Sequence, residues 1–143
     1  MKLDEKDHQI LKLLRDNSRA SIRDIAKATG IRPSTVHVRL QKLVTDGVIE
    51  KFTLKLNNKA LGEDFIVFML ILGKPTKYVG ATLLENMIIK EAFGVTGEYD
   101  LLLKLKFKDV QQFNDYVIKF RSENPDIQKT LTMVVTAVLK EGV

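Results

Sequence analysis

Residues 32–42 gather hydroxyls, an imidazole, an amide and cations with no carboxylate among them: Arg32, Ser34, Thr35, His37, Arg39, Gln41 and Lys42. Such groups bond phosphate oxygens and base edges, and Val38 between them could touch a thymine methyl. A second group is the run Gly97-Glu98-Tyr99-Asp100. A glycine at a chain corner exposes backbone N–H groups that can hold a carboxylate, and Asp100 could pair with an ammonium group. Each group also has a plain structural reading. The first would be the solvated face of an ordinary helix, and the second a turn that only stabilises itself.

Other chemistries find little support. The chain has no cysteine, which removes thiolate nucleophiles, thiolate metal sites and disulfides. Its two histidines, His8 and His37, fall on different predicted helices, with no carboxylate–histidine spacing between them. Glu98 and Asp100 are alternate residues on a turn and need not converge on a substrate. No nucleophile–base constellation is visible. The expectation is therefore a protein that is not an enzyme and holds no metal or cofactor.

The first group needs a scaffold, and residues 21–43 supply one. Ser21 reads as an N-cap with Asp24 three residues on, and Ile22, Ile25 and Ala26 repeat at helical spacing. Gly30 stands where a helix stops and the backbone needs positive φ, and Pro33 suits the first turn of the next helix. Two short helices about a glycine turn make a helix-turn-helix, whose second helix enters the DNA major groove. On that second helix, Val36, Leu40 and Leu43 share one side at about 100° per residue, while Ser34, Val38, Gln41 and Lys42 lie roughly opposite. Thr35 and His37 flank them, and Arg39 falls nearer the apolar edge. Residues 4–16 predict a further helix, capped by Asp4 and carrying Ile10, Leu13 and Leu14.

Charge agrees with this placement. Residues 1–62 carry 13 Lys and Arg against 7 Asp and Glu, whereas residues 63–143 carry 10 against 11. The excess points to a polyanion partner for the first half alone. A membrane surface would also attract it, but that half has no aromatic stripe on an amphipathic helix. The N-terminus lacks an apolar signal core, and the apolar run 65–72 is too short to span a bilayer. The expected setting is cytoplasmic, with no membrane partner.

The remainder has a different rhythm. Residues 48–56 alternate as a short strand or wing, with Lys51, Thr53 and Lys55 on a face that could reach a DNA backbone. Asn57-Asn58 is a turn signal. Residues 64–73 are apolar at nearly every position, as in a strand buried on both faces. Helical spacing follows over 75–87. Strands are predicted over 89–96 and 99–107 about a tight Gly97-Glu98 turn. A helix capped by Asp109 carries Val110, Phe113, Val117 and Phe120, and a last strand covers 128–140. The order β-α-β-β-α-β is the split-βαβ, ferredoxin-like arrangement. Two helices cover one sheet face only, so a second copy of the chain is expected on the other, giving a homodimer. Three segments result: a helix-turn-helix over 1–50, a connecting strand or linker over 51–62, and a ferredoxin-like sensing and oligomerisation domain over 63–143. The fold class is α+β.

With these pieces in order, the chain resembles the Lrp/AsnC (feast/famine) family of prokaryotic transcription regulators. The resemblance is carried by LDEKDHQILKLL, IRDIAKATGIRPSTVHVRLQKLVTDGVI, LNNKALG and VTGEYDLLLKL, and it covers essentially all 143 residues. It implies dimers, often assembled into octamers, and an amino-acid effector bound between dimers beside the hairpin. Gly97 and Asp100 match the family's Gly-x-x-Asp effector loop, and Thr130 and Thr132 match the final-strand region near that pocket, where hydroxyls could serve either end of an amino acid. The chain departs from the family at Val44, where a glutamate is usual.

The leading expectation is a sequence-specific regulator that binds double-stranded DNA and responds to a small molecule such as an amino acid. The alternative is an architectural DNA-compacting protein whose second domain only oligomerises. The two differ in specificity ratio and effector response.

Overall fold

The computed structural model describes residues 2–73 and 85–143 of the chain. It separates into two compact units, Met1–Lys55 with Val143, and Leu56–Gly142.

The first unit is three helices: α1 (Glu5–Asp16), α2 (Ile22–Thr29) and α3 (Pro33–Thr45). Each start follows from a local signal. Asp4 and Asp7 form a reciprocal capping box at α1, with both bonds at 3.0 Å. Ser21 and Asp24 do the same at α2. Gly30 ends α2 at φ +72°, in the left-handed region that disfavours a Cβ, and Pro33 opens α3. The buried sides meet in one cluster of Ile10, Leu14, Ile25, Ala26, Ile31, Val36 and Leu43.

Residues 48–56 form no strand in the single chain. Residues 51–57 belong to no ladder and are exposed, Phe52, Leu54 and Leu56 among them. A strand needs a neighbour to satisfy its backbone, and the helical unit offers none among its described residues. The Ser18 hydroxyl donates to the Thr53 carbonyl at 3.3 Å.

The second unit is an antiparallel sheet of β1 (Phe65–Leu72), β2 (Ile89–Gly94), β3 (Leu101–Phe107) and β4 (Lys129–Val134), with α4 (Val110–Glu123) on one face. The strand order β2-β3-β1-β4 is that of the split-βαβ sheet. The helix expected over 75–87 lies, up to residue 84, outside the described residues, and 85–88 run as turns into β2. Val67, Met69 and Ile71 of β1 join Leu101, Leu103, Leu105 and Phe107 of β3 in the core. Phe113, Tyr116 and Phe120 of α4 close over them, with Phe107 edge-on to both Phe113 and Tyr116 at 5.4 Å. Burial first, and Glu123 second, pushes the Tyr116 phenol up to about 12. Val110, expected in this face, is exposed.

The other sheet face, for which a second copy of the chain is the expected cover, is partly exposed within the single chain. Register aligns Phe93, Leu102, Leu70 and Leu131 in one row across all four strands. Phe93 is 52% exposed and Leu131 43%, so β1 is buried fully on one side only. The last strand is shorter than expected. Val135 donates to the Ile66 carbonyl at 2.9 Å, and β1 begins one residue before, so the chain beyond runs out of partners. It leaves the ladder, and Glu141 pairs with Lys104 and, at 3.1 Å, Lys106.

Candidate nucleic-acid interface and effector loop

The turn between α2 and α3 is fixed by its own polar groups. The Thr29 hydroxyl donates to the Ile25 carbonyl at 2.7 Å and accepts from the Ile31 N–H at 3.2 Å. Ile31 is then buried, and the chain enters α3 through Pro33. Val36 and Leu43 are fully buried, which fixes the rotation of the helix. The opposite face is therefore presented to solvent: Ser34, His37, Gln41 and Lys42 are exposed, as is Arg32 ahead of the helix, and Val38 is 62% exposed. Thr35 is half-buried. The structure brings these sequence-selected residues onto one surface, which a groove of a duplex could meet with hydroxyls, an amide and cations.

Arg39 stands at the expected apolar edge of α3 but is engaged by carboxylates. Its Nη1 lies 2.7 Å from Asp4 and 2.9 Å from Asp7 Oδ1. Asp7 is 4% exposed. A buried carboxylate requires a partner, and Arg39, at the apolar edge of α3, supplies it. The Arg39 contact and the Asp7 N–H hold the Asp4 carboxyl down at about 2, and the two aspartates hold the guanidinium above its ordinary value. Lys51 is exposed in the segment without a ladder, so no strand aims it. Beside α3 is an open concavity of about 550 Å³, lined by Ser34, Thr35, Val38 and Lys42 of α3, by the Asp4–Arg39–Asp7 cluster and also by Lys2. Lys2 was missed from sequence; its only signal is a cation two residues ahead of a cap.

The hairpin loop is wider than the tight turn expected. Paired strands stop at Gly94 and Leu101, and the Val95 N–H donates to the Asp100 carbonyl at 2.9 Å. Gly97 has φ +116°, a conformation that strains any L side chain. Asp100 is tied to β1: its N–H donates to the Ile71 carbonyl at 2.9 Å, and its Oδ2 accepts from the Gly73 N–H at 2.7 Å. Lys129, also unforeseen, reaches the loop from β4. Its ammonium donates to Glu98 Oε1 at 3.3 Å and lies 5.5 Å from the Tyr99 ring centre. Glu98 first, then Tyr99, raises the Lys129 pKa. Thr130 and Thr132 pair with Ile71 and Met69, on the α4 side of the sheet, and are half-buried. The loop residues, Asp100 and Thr130 thus meet at one end of the sheet, while Thr132 stands two residues further in.

Comparison with known proteins bears on both units. The family model described as winged helix-turn-helix DNA-binding matches residues 3–50, and that described as the Lrp/AsnC ligand binding domain matches 73–143. The chain is 38% identical over 141 residues to the HTH-type transcriptional regulator FL11 of Pyrococcus abyssi, covering 97% of this chain and 93% of the relative. Its counterpart in Pyrococcus horikoshii is 37% identical with the same coverage. Among solved structures, Escherichia coli AsnC superposes with a TM-score of 0.88 at 27% identity, covering 100% of this chain and 98% of that one. A transcriptional regulator of Neisseria meningitidis, solved in complex with L-Met, superposes with a TM-score of 0.91 at 21% identity, covering 99% and 94%.

Proposed function

The chain belongs to the Lrp/AsnC family of DNA-binding transcription regulators, and from that membership we propose that α3 reads double-stranded DNA and that the 97–100 loop takes an amino-acid effector. The observation that carries the first part is the carboxylate-free exposed face of α3, turned outward by the burial of Val36 and Leu43. Gln41 and Val38 face base edges. Lys42, Arg32, Ser34, Thr35 and His37 face phosphates and sugars, which position the helix without reading sequence.

The effector reading rests on Gly97, Asp100 and their neighbours at one end of the sheet, and the L-Met complex of the Neisseria relative supports an amino acid as the ligand class. A second copy of the chain covers the row Phe93, Leu102, Leu70 and Leu131, giving a homodimer that places two α3 helices on one duplex. Effector bound between such dimers alters DNA affinity by favouring one packing over another.

The test is a pair of substitutions measured on operator and random duplexes. Gln41→Ala should cost about 1–3 kcal/mol on the operator and relax preference at one position of each half-site, whereas Lys42→Ala should weaken all duplexes nearly alike. Equal losses on operator and random DNA for Gln41→Ala would overturn the assignment.

A further inference from the structure

The segment ahead of α1 is held against the DNA-reading helix. Leu3 packs on the helical core. Asp4 takes Arg39 Nη1 on both carboxylate oxygens at 2.7 Å, and its capping box with Asp7 fixes the backbone at the same point. Lys2, one residue beyond Leu3, lines the concavity shared with Ser34, Thr35, Val38 and Lys42. Among the described residues Lys2 makes no ion pair. Arg39, by contrast, faces two carboxylates and has no charge to spare for a phosphate. Among the described residues Lys42 makes no ion pair either, so the concavity, which Asp4, Asp7 and Arg39 also line, holds two cations outside the Asp4–Arg39–Asp7 cluster.

We infer that Lys2 is a DNA-backbone contact of this protein, held at the interface by the Asp4–Arg39 pair, with Asp4 and Arg39 acting as positioning residues. The inference rests on α3 entering the groove as proposed above. Lys2 and Lys42 then clamp the phosphates along one edge of the helix. Phosphate contact by a lysine neutralises charge and releases condensed counterions, so it adds affinity on any sequence and steepens the salt dependence.

Asp4 gives this reading a sharp test, because charge and position pull in opposite directions. If Asp4 contributed only its charge, Asp4→Asn would remove a negative group from a DNA-facing surface and tighten binding. If Asp4 anchors Lys2, the same change loosens the segment and weakens binding, although asparagine still caps α1. The experiment measures duplex affinity across a salt series for the full chain and for Lys2→Ala, Asp4→Asn, the double variant and Lys42→Ala, with thermal melts confirming folding. Lys2→Ala should lower affinity about five- to tenfold at about 0.1 M salt on specific and random duplexes alike, and reduce the log–log salt slope by about 0.9. Asp4→Asn should weaken binding in the wild-type background and have no further effect with Lys2→Ala. Wild-type affinity and slope in Lys2→Ala, with Lys42→Ala weakened, would overturn this inference and leave the α3 assignment standing. No effect from either lysine would overturn both. Tighter binding by Asp4→Asn would show Arg39 released to a phosphate and remove the positioning role.

Discussion

Asp100 Oδ2 accepts the Gly73 backbone N–H at 2.7 Å, tying the start of β3 to the residue that leaves β1. The carboxylate so placed has a structural duty whatever else it binds. It keeps acceptor capacity on its other oxygen, since an ionised carboxylate offers about four lone-pair sites.

The two duties separate by substitution. Asp100→Asn retains an oxygen for the Gly73 N–H but removes the charge that an α-ammonium group would meet. It should keep the wild-type melting temperature and cost about 2 kcal/mol or more of amino-acid affinity, the lower end expected for a buried charge contact. Asp100→Ala should lose both. Calorimetric titration with amino acids, beside melting curves, reads the two effects. Wild-type amino-acid affinity in Asp100→Asn would leave Asp100 as a strut of the loop alone.

The sheet unit should be most sensitive at Phe107. Its ring is fully buried between β3 and α4, edge-on to Phe113 and Tyr116. Phe107→Ala removes those contacts and leaves a cavity that rigid β1 and β3 cannot close. The expected cost is about 3–5 kcal/mol, a large share of a domain's whole stability. Denaturant unfolding of the full chain should show the transition of the sheet unit shifted, with that of the helical unit unmoved. A change below about 1 kcal/mol would mean that α4 repacks into the space.

What could be read in the sequence was local. Asp4, Ser21, Gly30 and Pro33 each act within three or four residues, and all four perform the capping or turning expected of them. The alternation that exposes one α3 face is likewise a property of one helix. What could not be read was pairing across distance. Arg39 meets Asp4 and Asp7 from 35 and 32 residues away, and no spacing announces it. Residues 48–56 alternate as a strand should, yet alternation does not supply a ladder partner. Residues 135–140 continue the alternation of β4 after β1 has run out of backbone to pair with. In the loop, Gly97 was legible as a corner, but Lys129 reaches Glu98 across 31 residues.

The Asp4–Arg39 contact also has a pH signature. The folded state holds the Asp4 carboxyl at about 2, below its ordinary 3.8, chiefly through the hydrogen bonds from Arg39 and then from the Asp7 N–H. A carboxyl depressed on folding binds its proton more weakly in the folded state than in the unfolded one. Its contribution to stability is therefore complete above the unfolded value, near 3.8, and is lost as pH falls through the folded value, about 2. Asparagine at this position caps α1 as well as aspartate does but cannot titrate. The melting temperature of wild type should exceed that of Asp4→Asn above about pH 4, and the difference should shrink steadily toward pH 2. Salt should reduce the same difference, because Asp4 is solvent-exposed and its charge is open to screening. A difference independent of pH across that window would mean that the Arg39 contact at Asp4 adds nothing, and that Asp7 alone holds the guanidinium in place.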